Sequence, residues 1–316
     1  MKIVIPGGSG QVGAILRRAL SGAGHEVVVL SRNPKREEVF WDGQTLGPWA
    51  RELEGAGAVI NLAGRSVNCR YNTGNRRAIM DSRLASTAVI GRAIAACVEP
   101  PPVWLQASTA TIYAHRYDAA NDEHRGILGG DEPGVPDTWR FSIDVARAWE
   151  EQLAAAVTPR TRKVAMRSAM VMSPDRGGVF DVLLRLVQRG LGGKSGDGHQ
   201  YVSWVHHEDF ARAIRFLIEH DDLAGAVNIA APNPLPNADF MRALRDGWGA
   251  RIGLPAPRPV LEVGAVLLRT ETELVLKSRR VVPARLVEAG FQFRYPAWPP
   301  AAQHLCAEWR TRRGAT

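Results

Sequence analysis

Lys2-Ile-Val-Ile5 runs directly into Gly7-Gly-Ser-Gly-Gln-Val-Gly13, and the reading of the fold turns on that junction. The helical stretch Ala14 to Leu20 follows, then a second apolar run, Glu26-Val-Val-Val-Leu30, closed by Ser31-Arg32-Asn33-Pro34. The order is strand, glycine turn, helix, strand. Glycines 7, 10 and 13 permit a tight turn and bring bare backbone against a pyrophosphate at the helix N-terminus, where unpaired N–H groups and the helix dipole favour negative charge. The candidate contacts in this turn are Gly7, Ser9, Gly10, Gln11, Val12 and Gly13. An NAD site places Asp or Glu at the end of the second strand for the ribose 2′-hydroxyl. Here Ser31 and Arg32 stand there and suit a 2′-phosphate, so the expected cofactor is NADP. The competing readings are an ordinary Gly-rich turn and a solvated surface arginine.

The alternation continues beyond residue 35. Ala58 to Gly64 reads as a buried strand ending in a small-residue turn, Arg76 to Cys97 has helical spacing, and Val103 to Ser108 is another strand. Phe141 to Ala156 is helical, Lys163 to Arg167 begins a strand, Asp209 to Glu219 is helical, and Ala226 to Ala230 is strand-like. Strands alternating with helices imply an α/β protein with a doubly wound parallel sheet, the Rossmann arrangement. Ligands of such sheets sit beyond the C-terminal strand ends, so the loops after residues 5, 30, 62, 107 and 168 are expected to line one crevice. The expected division is a nucleotide-binding domain over 1–230, with substrate-lid elements within 168–205, and a small mixed C-terminal domain over 231–316. In the latter, Val260 to Leu276 reads as an apolar helix, Val281 to Gly290 as a short helix and Phe291 to Tyr295 as a short strand, all packing beside the sheet.

Composition excludes several classes. With 45% hydrophobic and 23% charged residues, the 316-residue chain has the balance of a soluble globular protein. No apolar run approaches the roughly 20 residues needed to span a bilayer, and residues 2–5 are too short for a signal-peptide core. The three cysteines are widely spaced and form neither a disulfide framework nor a metal motif, which fits a reducing cytoplasm. The net charge of +8 is spread in short arginine groups with no aromatic-interleaved stripe. Nucleic acid and membrane are therefore not expected partners, while a small anionic ligand is compatible. A homodimer and a monomer are both compatible with this reading.

Taken together, these segments resemble the extended short-chain dehydrogenase/reductase family, and within it an epimerase-family subgroup with a C-terminal domain of unknown function (DUF1731 type). The residues carrying the resemblance are the Gly7–Gly13 loop, Asn61-Leu-Ala-Gly64, Ala107-Ser-Thr-Ala-Thr-Ile-Tyr113, Trp204-Val-His-His-Glu-Asp209, Asp81-Ser-Arg83, Trp149-Glu150 and Gly190-Leu-Gly-Gly193 with Gly198-His-Gln200. Arg279 to Leu286 and Ala289 to Pro296 carry it through the C-terminal region. The resemblance implies that Leu62, Ala63 and Gly64 touch the cofactor ribose, that Ser168 and Met170 lie where the nicotinamide ring rests, that Ser108 and Arg83 are further cofactor contacts, and that Arg83 stands where many relatives have Asn. Pro6 takes the place of a usual Thr and removes one N–H from the turn.

The resemblance breaks at the catalytic pair. Reductases of this class use Tyr-x-x-x-Lys, in which the lysine lowers the tyrosine pKa and the tyrosine passes a proton. Counting back from Glu150, Ser142 stands at the tyrosine place and Ala146 at the lysine place. Thr109 and Tyr113 are the remaining catalytic candidates; Thr109 equally suits a strand-end cap, and Tyr113 suits packing at the substrate edge. His206 and His207 lack a third ligand at metal-binding spacing, so no metal is expected; His206 is read as packing and Asp209 as the cap of the following helix. Arg70, Arg83 and Arg167 are candidates for an anionic group or for structural ion pairs, Gly190 to Gly198 for a lid or a plain loop, and Trp149 and Trp204 for packing. The function implied is an NADP(H)-dependent oxidoreductase or epimerase-like enzyme acting on a small polar, nucleotide-sugar-like substrate. The alternative is a non-catalytic NADP-binding sensor or scaffold linked to division.

Overall fold

Strands buried on both faces need apolar side chains in both directions, and Ile3-Val-Ile5 supplies them: Ile3 and Ile5 enter one core and Val4 the other. The computed structural model describes residues 1–132, 135–259, 261–262 and 273–314. The strands are β1 (Lys2–Pro6), β2 (Glu26–Ser31), β3 (Glu38–Phe40), β4 (Ala58–Asn61), β5 (Val103–Thr109), β6 (Arg162–Ser168), β7 (Met170–Met172), β8 (Tyr201–Val202), β9 (Trp204–His206), β10 (Gly225–Ile229) and β11 (Leu235–Pro236). The helices are α1 (Gln11–Gly22), α2 (Thr73–Ala95), α3 (Asp137–Ala155), α4 (Val179–Gln188), α5 (His207–Glu219), α6 (Asn237–Trp248), α7 (Glu273–Leu276), α8 (Ala284–Glu288) and α9 (Trp298–Gly314).

Seven strands form one parallel sheet in the order β3-β2-β1-β4-β5-β6-β10. This is the doubly wound Rossmann-like arrangement. The strand order reverses between β1 and β4, which opens the crevice at their C-terminal ends, where the glycine turn lies. Helices α1 and α5 cover one face through Ile15, Leu16, Leu20, Phe210, Ile214 and Leu217. On the other face lie α2 and α3, through Val89, Ile90, Ile94 and Leu153 against Val59 and Trp104. A third core stands outside the sheet. There α4, α6 and α9 enclose Trp204, Phe240 and Trp298, and the last two stack at 4.0 Å.

Three expectations for the C-terminal region need correction or fall outside the described residues. Phe291 to Tyr295 forms no strand; Phe291 turns into the core under α5, and the Arg294 and Tyr295 amides bond Asp209 at 2.9 and 2.8 Å. The short helix begins only at Ala284, because Pro283 cannot continue a helix from Val281. Most of the Val260-to-Leu276 segment lies outside the described residues, and its described end is α7. The tail does pack beside the sheet, through Leu286 and Phe291. Among the described residues, no helix is long and apolar enough to cross a membrane.

Candidate functional site

The glycine turn is built for close approach. Gly7 has φ +74°, and a Cβ there would lie 2.7 Å from the Ala63 backbone. At Gly13 a Cβ would lie 2.2 Å from the Gly8 carbonyl oxygen, so the turn and α1 can touch only through hydrogen. Helix α1 starts with no side-chain cap and no acidic residue in its first turn, so its leading N–H groups face outward for an anion. Ser9, Gly10 and Gln11 are exposed around them, and Val12 is half-buried. At the end of β2, Ser31 is buried and its Oγ accepts the Asn33 amide at 3.3 Å. Arg32 is exposed there, and makes no ion pair among the described residues.

The opposite wall is the turn after β4. Buried Asn61 donates from Nδ2 to Gln106 Oε1 at 2.9 Å and accepts the Ala63 amide at 3.0 Å, which fixes Leu62, Ala63 and Gly64 beside the crevice. Arg83 lies against this turn. Its guanidinium donates to the Arg65 and Ile79 carbonyls, both at 3.1 Å, and stacks over Trp149. Burial pulls its pKa down to about 10. Arg83 therefore packs against the Gly64 turn while it bonds these two carbonyls.

At the substrate end, β5 delivers Ser108 and Thr109. The Thr109 hydroxyl oxygen accepts the Thr111 amide at 3.1 Å, while its O–H meets no acceptor among the described residues. The Ser108 hydroxyl instead donates to Glu150 Oε1 at 2.6 Å, behind the strand end. Glu150 also takes two hydrogen bonds from Arg167, at 2.9 and 2.7 Å. Arg167 bonds the Tyr113 oxygen at 2.9 Å, and Tyr113 donates to Asn228 Oδ1 at 2.9 Å. Burial pushes the Tyr113 phenol up, against the pull of Arg167. Tyr113 is thus buried, with its hydroxyl held between Asn228 and Arg167. Arg167 is equally committed to Glu150, and Met170 lies half-buried on β7 opposite Trp204. Trp149 and Trp204 are packing residues; the Trp149 Nε1 donates to Thr87 Oγ1 at 3.0 Å.

The C-terminal segment closes over this end. Ser142, at the tyrosine place of α3, donates to Glu273 Oε2 at 2.6 Å. Lys277 Nζ donates to the Thr111 carbonyl at 2.8 Å, and Arg279 Nε to Thr111 Oγ1 at 3.2 Å. These three C-terminal residues were not among the sequence candidates. Their signal was the spacing Glu273-x-x-x-Lys277 at the end of an apolar segment. The loop from Gly190 to Gly198 is tied down by Gly193 N to Leu254 O (3.1 Å), Gly196 N to Ala256 O (2.9 Å) and Ala256 N to Lys194 O (2.9 Å), which is not the arrangement of a free lid.

Residues 3–230 match the NAD dependent epimerase/dehydratase family. The chain belongs to that family. Residues 256–305 of this epimerase-family chain match a domain of unknown function, DUF1731. It is 32% identical to the epimerase family protein SDR39U1 of Bos taurus over 315 residues, covering 97% of this chain and 100% of the relative. The crystal structure of human SDR39U1 (isoform 2) with NADPH superposes with a TM-score of 0.86 at 29% identity, covering 97% of this chain and 99% of that one. A nucleoside-diphosphate sugar epimerase from Corynebacterium glutamicum gives 0.76 at 28%, covering 99% of this chain and 61% of that one.

In this epimerase-family chain the His-His pair joins the two regions. His207 Nε2 meets Glu308 at 2.9 Å, and His206 Nε2 meets His304 Nδ1 at 3.2 Å. His206, rather than the expected Asp209, is the N-cap of α5, its Nδ1 accepting the Glu208 amide at 3.2 Å. Asp209 instead binds the Arg294 and Tyr295 amides. Glu308 supplies the third group that sequence spacing did not reveal, and donor atoms of His206, His207 and Glu308 lie within 4.8 Å of one another. The set does not suit a metal. With Nδ1 accepting a backbone proton, neutral His206 carries its hydrogen on Nε2 and has no lone pair to offer there. Burial pushes the His206 pKa down to about 2, helped by the neighbouring histidines, so the ring stays neutral. The cluster is a latch between α9 and α5. Burial works to raise the Glu308 pKa, but hydrogen bonds from His207 and Arg312 override it and hold it at about 2. A depressed carboxylate stabilises the fold above its unfolded pKa, and that contribution is lost as pH falls toward 2. Glu308→Gln is expected to lower the melting temperature by a few degrees at neutral pH. The same variant should flatten the loss of stability between pH 5 and 2 in thermal melts.

Proposed function

We propose that the chain binds NADP(H) and works as an NADP(H)-dependent oxidoreductase or epimerase-like enzyme on a small polar, nucleotide-sugar-like substrate. The observation that carries the cofactor half is the glycine turn, whose contacts a single added Cβ would fill, with an uncapped α1 N-terminus beside it. Gly7, Ser9, Gly10, Gln11, Val12 and Gly13 would hold the pyrophosphate, Leu62 to Gly64 the ribose, and Ser31 with Arg32 the 2′-phosphate. The SDR39U1 structure holding NADPH supports the same assignment. When bound, such a cofactor supplies or accepts a hydride at a substrate carbon. The chain's own part is to fix that carbon over the β5 end and to handle its oxygen. Thr109, half-exposed with an uncommitted O–H, is placed to donate to that oxygen.

Arg32→Ala is expected to cost roughly tenfold or more in NADPH affinity and to leave NADH affinity unchanged, since an exposed arginine–phosphate pair contributes on the order of 1.5–3 kcal/mol. Fluorescence titration with both nucleotides checks this, and equal losses for the two would remove the 2′-phosphate assignment. The enzyme reading is tested by following NADPH consumption at 340 nm across aldehydes, ketones and nucleotide-sugar ketones. A second reading, a sensor or scaffold that binds NADP(H) without turnover, is favoured by Ser142 and Ala146 in place of the usual pair and by the locked Tyr113. NADPH binding without consumption across that panel, together with a stoichiometric protein partner, is its expected signature.

A further inference from the structure

We propose that Lys277, carried by the C-terminal segment, is the proton-transfer group of this site, with Glu273 and Arg279 as its positioning residues. The proposal rests on the enzyme reading above and names the residue that handles the substrate oxygen.

The argument begins with placement. Thr109 ends β5 and Thr111 lies in the short 3-10 turn after it, on the side where a parallel sheet presents its ligands. Three C-terminal side chains converge on that corner: Lys277 on the Thr111 carbonyl, Arg279 on the Thr111 hydroxyl and Glu273 on Ser142 of α3. The corner is therefore roofed by the acid–base side chains of another segment.

The second observation concerns unfilled donors. The Lys277 side chain is fully buried, with 0% exposed. An ammonium carries three N–H donors. One reaches the Thr111 carbonyl at 2.8 Å. Among the described residues no other acceptor lies within hydrogen-bond distance, and the Glu273 carboxylate stands off at 3.9 Å. Burying a cation with two unmet donors is costly unless a ligand completes the shell. A carbonyl or alkoxide oxygen above the β5 end is the acceptor that fits.

The charges around Lys277 suit proton exchange. Arg279 and Glu273 face it from its own segment, and Glu132 and the His115 ring from the loop after β5. Burial and the Arg279 charge pull its pKa down to about 8, against Glu273 and Glu132, so it exchanges a proton near neutral pH. In the reducing direction, the carbonyl carbon takes a hydride from the reduced nicotinamide as the C=O π bond opens. The oxygen takes a proton from Lys277 Nζ, whose N–H bond breaks, and the resulting neutral amine recovers a proton from water. The substrate is reduced to an alcohol and the nicotinamide is oxidised.

The test uses the full chain and two readouts. The chain holds five lysines, so the side-chain carbon resonances of 13C-lysine-labelled protein are few, and the Lys277→Arg spectrum assigns the one of interest. Lys277 is expected to titrate near pH 8 and to move when NADP+ is added. For any carbonyl compound of the panel that wild type reduces, the rate should fall as pH rises through about 8, as the ammonium is lost. Lys277→Arg should lower kcat roughly 100-fold and abolish that alkaline limb, with NADPH affinity within twofold of wild type. Lys277→Met should show the same loss of kcat, and Glu273→Gln should shift the limb rather than remove it. A Lys277 that stays protonated past pH 10, or a Lys277→Arg enzyme with wild-type rate and pH profile, overturns the proposal and leaves the enzyme reading standing. Wild-type protein that binds NADPH and consumes none across the panel overturns the enzyme reading, and the proposal with it.

Discussion

Gly13→Ala is expected to abolish measurable NADPH binding. The added methyl would sit 2.2 Å from the Gly8 carbonyl oxygen and 2.5 Å from its carbon, and both are backbone atoms that cannot rotate away. Relief requires moving the turn off the start of α1, at about 1–3 kcal/mol of strain in the free protein. The larger effect falls on the ligand. The N–H groups that would meet the pyrophosphate belong to the displaced turn, and each factor of ten in affinity is only about 1.4 kcal/mol. A loss of roughly 100-fold or more is the expected reading of a fluorescence titration. Gly22→Ala, in the last turn of the same helix with nothing within 4 Å of a new Cβ, is the control and should bind normally. If Gly13→Ala retains wild-type affinity, the nucleotide does not lie on this turn.

Glu150→Ala is expected to be strongly destabilising. Glu150 is the hub of a polar chain running from Ser108 through Arg167 and Tyr113 to Asn228. Its ion pair with Arg167 is mostly enclosed, with side-chain exposures of 11% and 17%. Removing one partner leaves a charge that water cannot easily reach, and such losses run to ~3–5 kcal/mol. A typical total stability is about 5–15 kcal/mol, so the urea midpoint should fall steeply. The double variant Glu150→Leu/Arg167→Met removes both charges and should recover much of the loss. A single variant within about 1 kcal/mol of wild type would mean that the network is a passenger rather than a support.

The sheet and its crevice were legible because period and punctuation agree. Apolar runs of strand length alternate with helical spacing, and the glycines at 7, 10 and 13 stand where a strand meets a helix. The far side of the site was not legible, for a physical reason. Arg83, Arg167 and Tyr113 have the composition of ligand contacts, and only tertiary packing reveals that Arg83 bonds backbone carbonyls, Arg167 bonds Glu150 and Tyr113 bonds Asn228. Asp209 was misread as a cap because His206, three residues earlier, caps the helix by accepting the Glu208 amide. The residues closing the substrate end come from more than 100 positions downstream of Ser142 and Thr111, which they touch, a separation that no local pattern encodes.

The third core has a consequence for how the chain is made. Trp204 and Phe240 share their core with Trp298, Ala301, Ala302 and Leu305 of α9, the last of the described helices. The sheet can assemble from the N-terminus as synthesis proceeds, but its flank stays open until α9 has emerged. A ribosome stalled short of α9 would thus hold a finished nucleotide fold beside a raw tryptophan surface. That intermediate is one for chaperones to recognise.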